Sequence, residues 1–505
     1  MVTVEGKAES NRGISRHSIC KCRGRDIGPS IRKSVIVILF SLLLSTSAAG
    51  ANLDSLESAY LTIALRRNLS HVADSLDVAS AREARGGAHS LYGPQAELTG
   101  SAVGTKGPGS REAGLLTGTG TVSQWVPTGG TASAALSGTS ARISPDNPPP
   151  YATGDNDSAS LTLSFKQPLL QGFGTGSPVV YQVRQADASA HLKFEAARGS
   201  GLVLLQQART AYWNLAGAVA TVQAQTDDSA RNQKLLTIAR IQFQSGSSSV
   251  LDTLTAATNF AKSKVALLQG RNAVREGARN LATLADTDMV ALPRPDSLPA
   301  PDTSAKLPSL EQLMKEAGAH APDLAQAQAR IEALQSEADY RKYSRLPRLD
   351  GTIYGKTGMP GGNPIQDWQL GARLDLDWNL PNGTERAKYR SALLDLKSAQ
   401  IRRDAAAKEL RHQISRILDS WESAKEQLAL SVDLAALQRK RLAVAEAGFS
   451  AGSTSLIDVE TVRADWMNAV TSSWQAKSQL KSLEAELEAR TGIGPARQGW
   501  IWGES

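Results

Sequence analysis

The chain runs through one order of elements twice. The alternating stretch Leu161-Thr-Leu-Ser-Phe-Lys-Gln-Pro168 leads into a long segment nearly free of proline, the turn Gln244-Ser-Gly-Ser-Ser-Ser-Val-Leu-Asp252 and a further such segment. Leu374-Asp-Leu-Asp-Trp-Asn-Leu-Pro381 opens the same order again, with Ser450-Ala-Gly-Ser-Thr-Ser-Leu-Ile-Asp458 as its turn. Pro168 and Gly246 lie 78 residues apart, and Pro381 and Gly452 lie 71 apart. The difference is one heptad, which keeps a coiled-coil face in register, so the pattern predicts duplicated long helices packed through a 3.5-residue seam. At about 1.5 Å per residue each helix is roughly 100 Å long.

The segments between the turns are rich in Ala, Leu, Gln, Lys, Arg and Glu, all strong helix formers. Leu324, Ala327, Ile331, Leu334 and Ala338 step by three and four, an a/d seam. Before each proline the period changes to two. Trp368, Leu370, Ala372, Leu374, Leu376, Trp378 and Leu380 alternate with Gln369, Gly371, Arg373, Asp375, Asp377 and Asn379, the pattern of a strand with one polar and one apolar face. The two tryptophans stand about 33 Å apart along such a strand, or about 25 Å of height at a ~40° tilt. That is the apolar band of an outer-membrane barrel with an aromatic at each rim; a two-sided soluble sheet is the alternative.

Leu349 to Thr357 is the expected partner strand, with Gly358 to Pro364 as the hairpin turn. In the first half Leu161, Leu163 and Phe165 alternate with Thr162, Ser164 and Lys166, and Gln95 to Gly104 is a weaker upstream partner. The Gly/Ser/Thr/Ala/Pro-rich stretch Thr105 to Ser160 reads as a long surface loop, in which Thr121 to Arg142 around Pro127-Thr-Gly-Gly130 is a candidate extra hairpin. About four strands per chain follow. A closed outer-membrane barrel needs at least ~8, so strands of this kind require oligomerisation to remove their edges.

The formal net charge of +7 misleads. Met1 to Ala51 holds eight basic residues against three acidic ones, which leaves the remainder at +2. The basic pair Arg32-Lys33, the apolar run Val35 to Leu44 and the small residues ending in Ala49-Gly50-Ala51 mark residues 1–51 as an export signal peptide; a short membrane anchor is the alternative. Cys20 and Cys22, the two cysteines of the chain, both lie in it. No Lys/Arg cluster interleaves with aromatics, which argues against nucleic-acid binding. No other stretch approaches 18 apolar residues, which excludes helical membrane spans beyond the leader.

After residues 1–51 the expected organisation is a first repeat over 52–286, a proline-rich linker over 287–308, a second repeat over 309–494 and a tail over 495–505. Each repeat turns at a glycine, Gly246 or Gly452, followed by Ser249-x-x-Asp252 or Ser455-x-x-Asp458, which read as a left-handed cap and a capping box. No motif carries the spacing of a catalytic or cofactor site. Gly351-Thr-Ile-Tyr-Gly355-Lys356-Thr357 is one residue short of a phosphate loop, and Gly172-Phe-Gly174-Thr-Gly176-Ser177 lacks the last glycine of a dinucleotide fingerprint. His71, His89, His191, His320 and His412 are scattered singly, and the acidic pairs Asp227-Asp228 and Asp375 with Asp377 read as solvated charge. The chain is read as no enzyme, with no cofactor or metal site.

Four markers in order, QPLLQGFG (Gln167 to Gly174), DLDWNLPNGT (Asp375 to Thr384) and the turns SGSSSVLD and AGSTSLID, make the chain resemble the TolC-like outer-membrane efflux protein family, the outer-membrane factors. The resemblance implies an α+β membrane protein: a homotrimer whose twelve strands form one transmembrane β-barrel, continuing into a long α-helical coiled-coil barrel in the periplasm. It implies a passive exit duct of a tripartite efflux or type I secretion system, lodged in outer-membrane lipid. Its partners would be a periplasmic adaptor (membrane fusion) protein and an inner-membrane transporter. Carried onto this chain, the adaptor would touch the turns at Gly246, Ser247 and Ser248 and at Gly452, Ser453 and Thr454. Arg373, Asp375 and Asp377 are the candidate lumen residues, and Trp368 and Trp378 the candidate membrane-interface aromatics. The competing reading is a soluble periplasmic coiled-coil adaptor or scaffold.

Overall fold

The computed structural model describes residues 53–106, 112–144, 156–246, 248–288, 290–293, 306–360, 367–378 and 382–493. The expected leader and tail, Ser247 and most of the linker lie outside them. The chain divides into two units, Met1–Ser55 and Leu56–Ser505, and the second holds every element except the first turn of the first helix.

In order along the chain come α1 (Leu53–Arg67), α2 (Leu69–His89), β1 (Gln95–Lys106), β2 (Glu112–Trp125), β3 (Thr131–Ser144), β4 (Asn156–Pro168), α3 (Pro178–Gln244) and α4 (Val250–Ala285). There follow α5 (Leu310–His320), α6 (Pro322–Ser344), β5 (Arg348–Pro360), β6 (Asp367–Asp377), α7 (Gly383–Ser450) and α8 (Leu456–Thr491). α3 and α7, of 67 and 68 residues, are each about 100 Å long.

Four helical columns stand side by side. α2 and α4 line up end to end along α3: the Asn68 amide at the start of α2 donates to the Leu284 carbonyl near the end of α4 at 3.1 Å. α6 and α8 do the same on the other side of α3, where Arg490 of α8 reaches Asp323 of α6. The order is therefore α2/α4, α3, α6/α8, α7. Small residues permit the close approach: Gly277 of α4 faces Leu215 of α3, and Gly217 of α3 faces Trp474 of α8. Tyr212, Leu215, Leu281, Ile414, Leu428, Val459 and Leu480 are fully buried between the columns. The a/d reading of α6 holds at heptad spacing, with Leu324, Ile331 and Ala338 all buried. α5 rests its Leu313 and Ala317 on a cluster with Leu410, Ile414 and Ile417 of α7 and Leu487 of α8.

Among the described residues the strands make one antiparallel sheet in sequential order, β1 to β6, with β1 and β6 at its edges. Among the described residues six strands replace the expected four. The stretch between Thr105 and Ser160 is largely sheet: β2 and β3 are the extra hairpin, longer than Thr121 to Arg142 suggests. In consequence Gln95 to Gly104 pairs with β2, and β4 pairs instead with β3 and β5. β2 escapes hydropathy because glycine and threonine alternate along Thr117-Gly-Thr-Gly-Thr121, leaving no large apolar side chain on either face of that run.

Two further expectations are corrected. The extra length of the first half sits in the loop Leu169–Ser177 before α3, nine residues against Asn382 alone between Pro381 and α7; α7 is one residue longer than α3, which leaves the difference of seven. It is loop, and no heptad is inserted into the coil. β6 ends at Asp377, so Trp378 lies just past the strand. The segment Gly351–Thr357, one residue short of a phosphate loop, falls wholly inside β5.

Candidate functional site: the sheet faces and the helical tips

Strand register sorts the side chains by face. On one face, Leu98 lies opposite Gly120, Leu136 opposite Leu161, Phe165 opposite Ile353, and Gly355 opposite Leu370. With Val122, Leu163, Leu374 and Leu376 these form an apolar surface that no other described residue covers; Leu98 is 87% exposed. Trp368 belongs to this face, at the far end of β6 from Trp378, and both are exposed.

The opposite face is a ladder of hydroxyls and charges. Ser101 and Thr117 stand 2.6 Å apart, Ser133 and Ser164 2.7 Å, and Ser137 and Ser160 2.7 Å. At the helix-proximal end the buried Asp350 accepts from Lys166 at 2.9 Å and from Arg348 at 2.8 Å. Arg373 pairs with Asp375 at 2.8 Å on the same face, and Asp377 sits opposite Arg348 in register. Arg373, Asp375 and Asp377 are thus brought together with Lys166, Arg348 and Asp350, three residues not singled out from sequence. A cavity of ≈ 530 Å³, lined among others by Lys166, Arg348, Asp350 and Arg373, opens where this face meets α6. Large side chains stand on this face as well: Val103 and Leu115, paired across β1 and β2, Trp125 of β2 and Tyr354 of β5.

Each helical turn holds itself by its own hydrogen bonds. Gly452 (φ +76°) and Ser453 donate back to Phe449 and Gly448, a left-handed cap of the Schellman type. Gly246 (φ +77°) donates to Phe243. Ser249 and Asp252 complete a reciprocal capping box, and the Ser248 hydroxyl also donates to Asp252 at 3.0 Å. The Ser249 backbone, then its hydroxyl, then Ser248 hold the Asp252 carboxyl below its ordinary 3.8. Ser455 caps α8 through the Asp458 amide. Exposed Val250, Leu251, Leu254 and Ile457 surround these turns. Thr454 tucks its hydroxyl against Gly448, where an added Cβ would meet it at 2.2 Å. Above the tips, Asp228 of α3 accepts from Arg463 of α8 at 2.6 Å, and Arg463 also grips Glu460.

The glycine-rich run after β4 has a structural task. Thr128, in the turn between β2 and β3, donates its hydroxyl to Gln167 Oε1 at 2.8 Å, and Gln167 Nε2 returns a bond to the Thr128 carbonyl at 3.1 Å. The Gly174 amide reaches the same carbonyl at 2.9 Å. Among the described residues no helix is long and apolar enough to cross a membrane.

Residues 60–286 and 313–493 match the family model described as "Outer membrane efflux protein". No curated protein matches the sequence. Among solved structures, the fold is similar to that of CusC, described as undergoing conformational changes on folding and transmembrane channel formation (TM-score 0.63, 15% identity, 86% of this chain and 92% of that one). It is similar to the outer membrane protein VceC of Vibrio cholerae (TM-score 0.60, 16% identity, 86% and 96%). It is also similar to the CmeC outer membrane channel of Campylobacter jejuni (TM-score 0.60, 13% identity, 89% and 90%).

Proposed function

Since the chain belongs to the outer membrane efflux protein family, we propose that three copies close into a passive exit duct. It would carry substrates from the periplasm or an inner-membrane pump to the exterior, within a tripartite efflux or type I secretion system. The observation that carries this is the pair of open edges. β1 and β6 leave unpaired backbone groups at both ends of the sheet, which in lipid cost several kcal/mol each by the rule that forbids free edges, roughly the price of a lost buried hydrogen bond apiece. The outer helical columns are open in the same sense. α4 exposes Val265 and Leu268, and α7 exposes Leu394, Ile401, Leu430, Leu437 and Val444. Joining copies edge to edge covers both.

In that assembly the apolar sheet face meets lipid, with Trp368 and Trp378 toward the two interfaces, and Arg373, Asp375 and Asp377 line the lumen. The periplasmic adaptor docks at Gly246, Ser247 and Ser248 and at Gly452, Ser453 and Thr454. The support for this is the rigid capping of both turns and their apolar neighbours Leu251 and Ile457. The energy for export comes from the partner transporter.

The test is fractionation of cells producing the tagged chain, mild-detergent extraction of the outer membrane, and mass determination. A detergent-dependent trimer in that fraction, crosslinking to an adaptor through cysteines at positions 248 and 453, is expected. A soluble periplasmic species would overturn the duct and leave the coiled-coil adaptor.

A further inference from the structure

We propose that the β2–β3 hairpin is wall, so that three copies form a barrel of eighteen strands, as wide as the helical part of the duct. The proposal rests on the duct reading above and adds the geometry of its membrane section.

The hairpin is inserted between neighbours and does not hang from an edge. β2 pairs with β1 over twelve positions, β3 pairs with β4 over eleven, and the two pair with each other over fourteen. It also shares the faces of its neighbours. Gly118, Gly120 and Val122, with Ala132, Ala134 and Leu136, continue the apolar side, while Thr117, Thr119, Ser133 and Ser137 continue the hydroxyl ladder. Its turn is bolted to the strand–helix junction: Thr128 and Gln167 exchange hydrogen bonds, and a Cβ on Gly129 would sit 2.1 Å from the Gly172 carbonyl. Pro127 and the left-handed Gly129 (φ +87°) make this a tight hairpin turn that leaves no slack.

The arc each copy contributes decides the width. Four helical columns at an interaxial spacing of about 8–10 Å span roughly 32–40 Å. Four strands about 4.8 Å apart and tilted ~40° span only about 25 Å, whereas six span about 38 Å. With six strands the sheet matches the columns above it without taper. β1 and β6 run in opposite directions and are 12 and 11 residues long, so β6 of one copy continues the antiparallel alternation onto β1 of the next. Eighteen strands give a backbone diameter of about 36 Å, against about 24 Å for twelve. The membrane section therefore admits cargo of much larger cross-section than a twelve-stranded wall.

Distances between copies measure this directly. The full chain, with Cys20→Ser and Cys22→Ser removing its two cysteines, is given a single spin label at Thr162→Cys on the polar face or at Leu163→Cys on the apolar face. Pulsed dipolar spectroscopy is then read on the detergent-extracted particle after its mass is known. In a trimer of eighteen strands the two labels average about 31 Å between copies, with Thr162 the shorter, and deleting Glu112–Ser144 lowers the average to about 21 Å. A trimer whose intact chain already gives about 21 Å overturns the wall assignment and leaves the duct standing. A particle that is no trimer overturns the duct reading, and this proposal with it.

Discussion

The Arg463 guanidinium on α8 lies 2.6 Å from the Asp228 carboxylate on α3, 235 positions away in the chain, and both side chains are largely buried. Asn232 Nδ2 also donates to Asp228, and Arg463 is held on its other side by Glu460. Removing one member of a buried pair leaves an uncompensated charge, so Asp228→Leu alone should cost about 3–5 kcal/mol. Combined with Arg463→Met it should cost much less than the two single losses together. Urea unfolding of the four species tests the coupling, and strictly additive losses would refute it.

The two sheet faces should differ sharply in tolerance. Leu374→Arg places a cation on the apolar face and should lower stability in the bilayer by up to ~2–4 kcal/mol, whereas Asp375→Asn, on the polar face beside Arg373, should be mild. Folding titrations into lipid vesicles read this difference. Equal tolerance at the two positions would sink the assignment of faces.

Gly129→Ala should dislodge the β2–β3 turn. The left-handed backbone alone costs about 1–3 kcal/mol for a side chain, and the new Cβ collides with the Gly172 carbonyl. Gly86→Ala, in the last turn of α2 with open space around it, should instead stabilise, by at most about 0.5–1 kcal/mol. Limited proteolysis between Trp125 and Thr131 should rise in the first variant and stay unchanged in the second.

The contact of α2 with α3 should weaken in acid. Partial burial pushes the Asp187 carboxyl up, but hydrogen bonds from His89 and Arg85 outweigh it and hold the group below its ordinary 3.8. A carboxyl whose folded value is depressed adds stability in full above its unfolded value, and loses it as pH falls through the folded one. Asp187→Asn should therefore be less stable than the parent at pH 6, and the gap should close as pH drops below 3.8. A gap independent of pH would mean that the charge of Asp187 plays no part.

Much of the architecture was legible from periodicity and punctuation. The helices around Gly246 and Gly452, their serine caps, and the strands at Leu161 and Trp368 announce themselves, because backbone capping and amphipathic alternation are local properties. The polar face was legible through Arg373, Asp375 and Asp377. Lys166, Arg348 and Asp350 were not, since only strand pairing brings β4 and β5 together.

The sequence by itself determined the long helices and their turns, through a 3.5-residue apolar period and through glycines where φ must be positive. Only the tertiary structure decided that Glu112–Ser144 is two strands. There glycine and threonine carry little hydropathy signal, and the pairing partners on either side, with the Thr128–Gln167 lock, supply the free energy that local preference lacks. It alone decided as well that Asp228 meets Arg463, because a contact across 235 residues depends on how the columns are ordered.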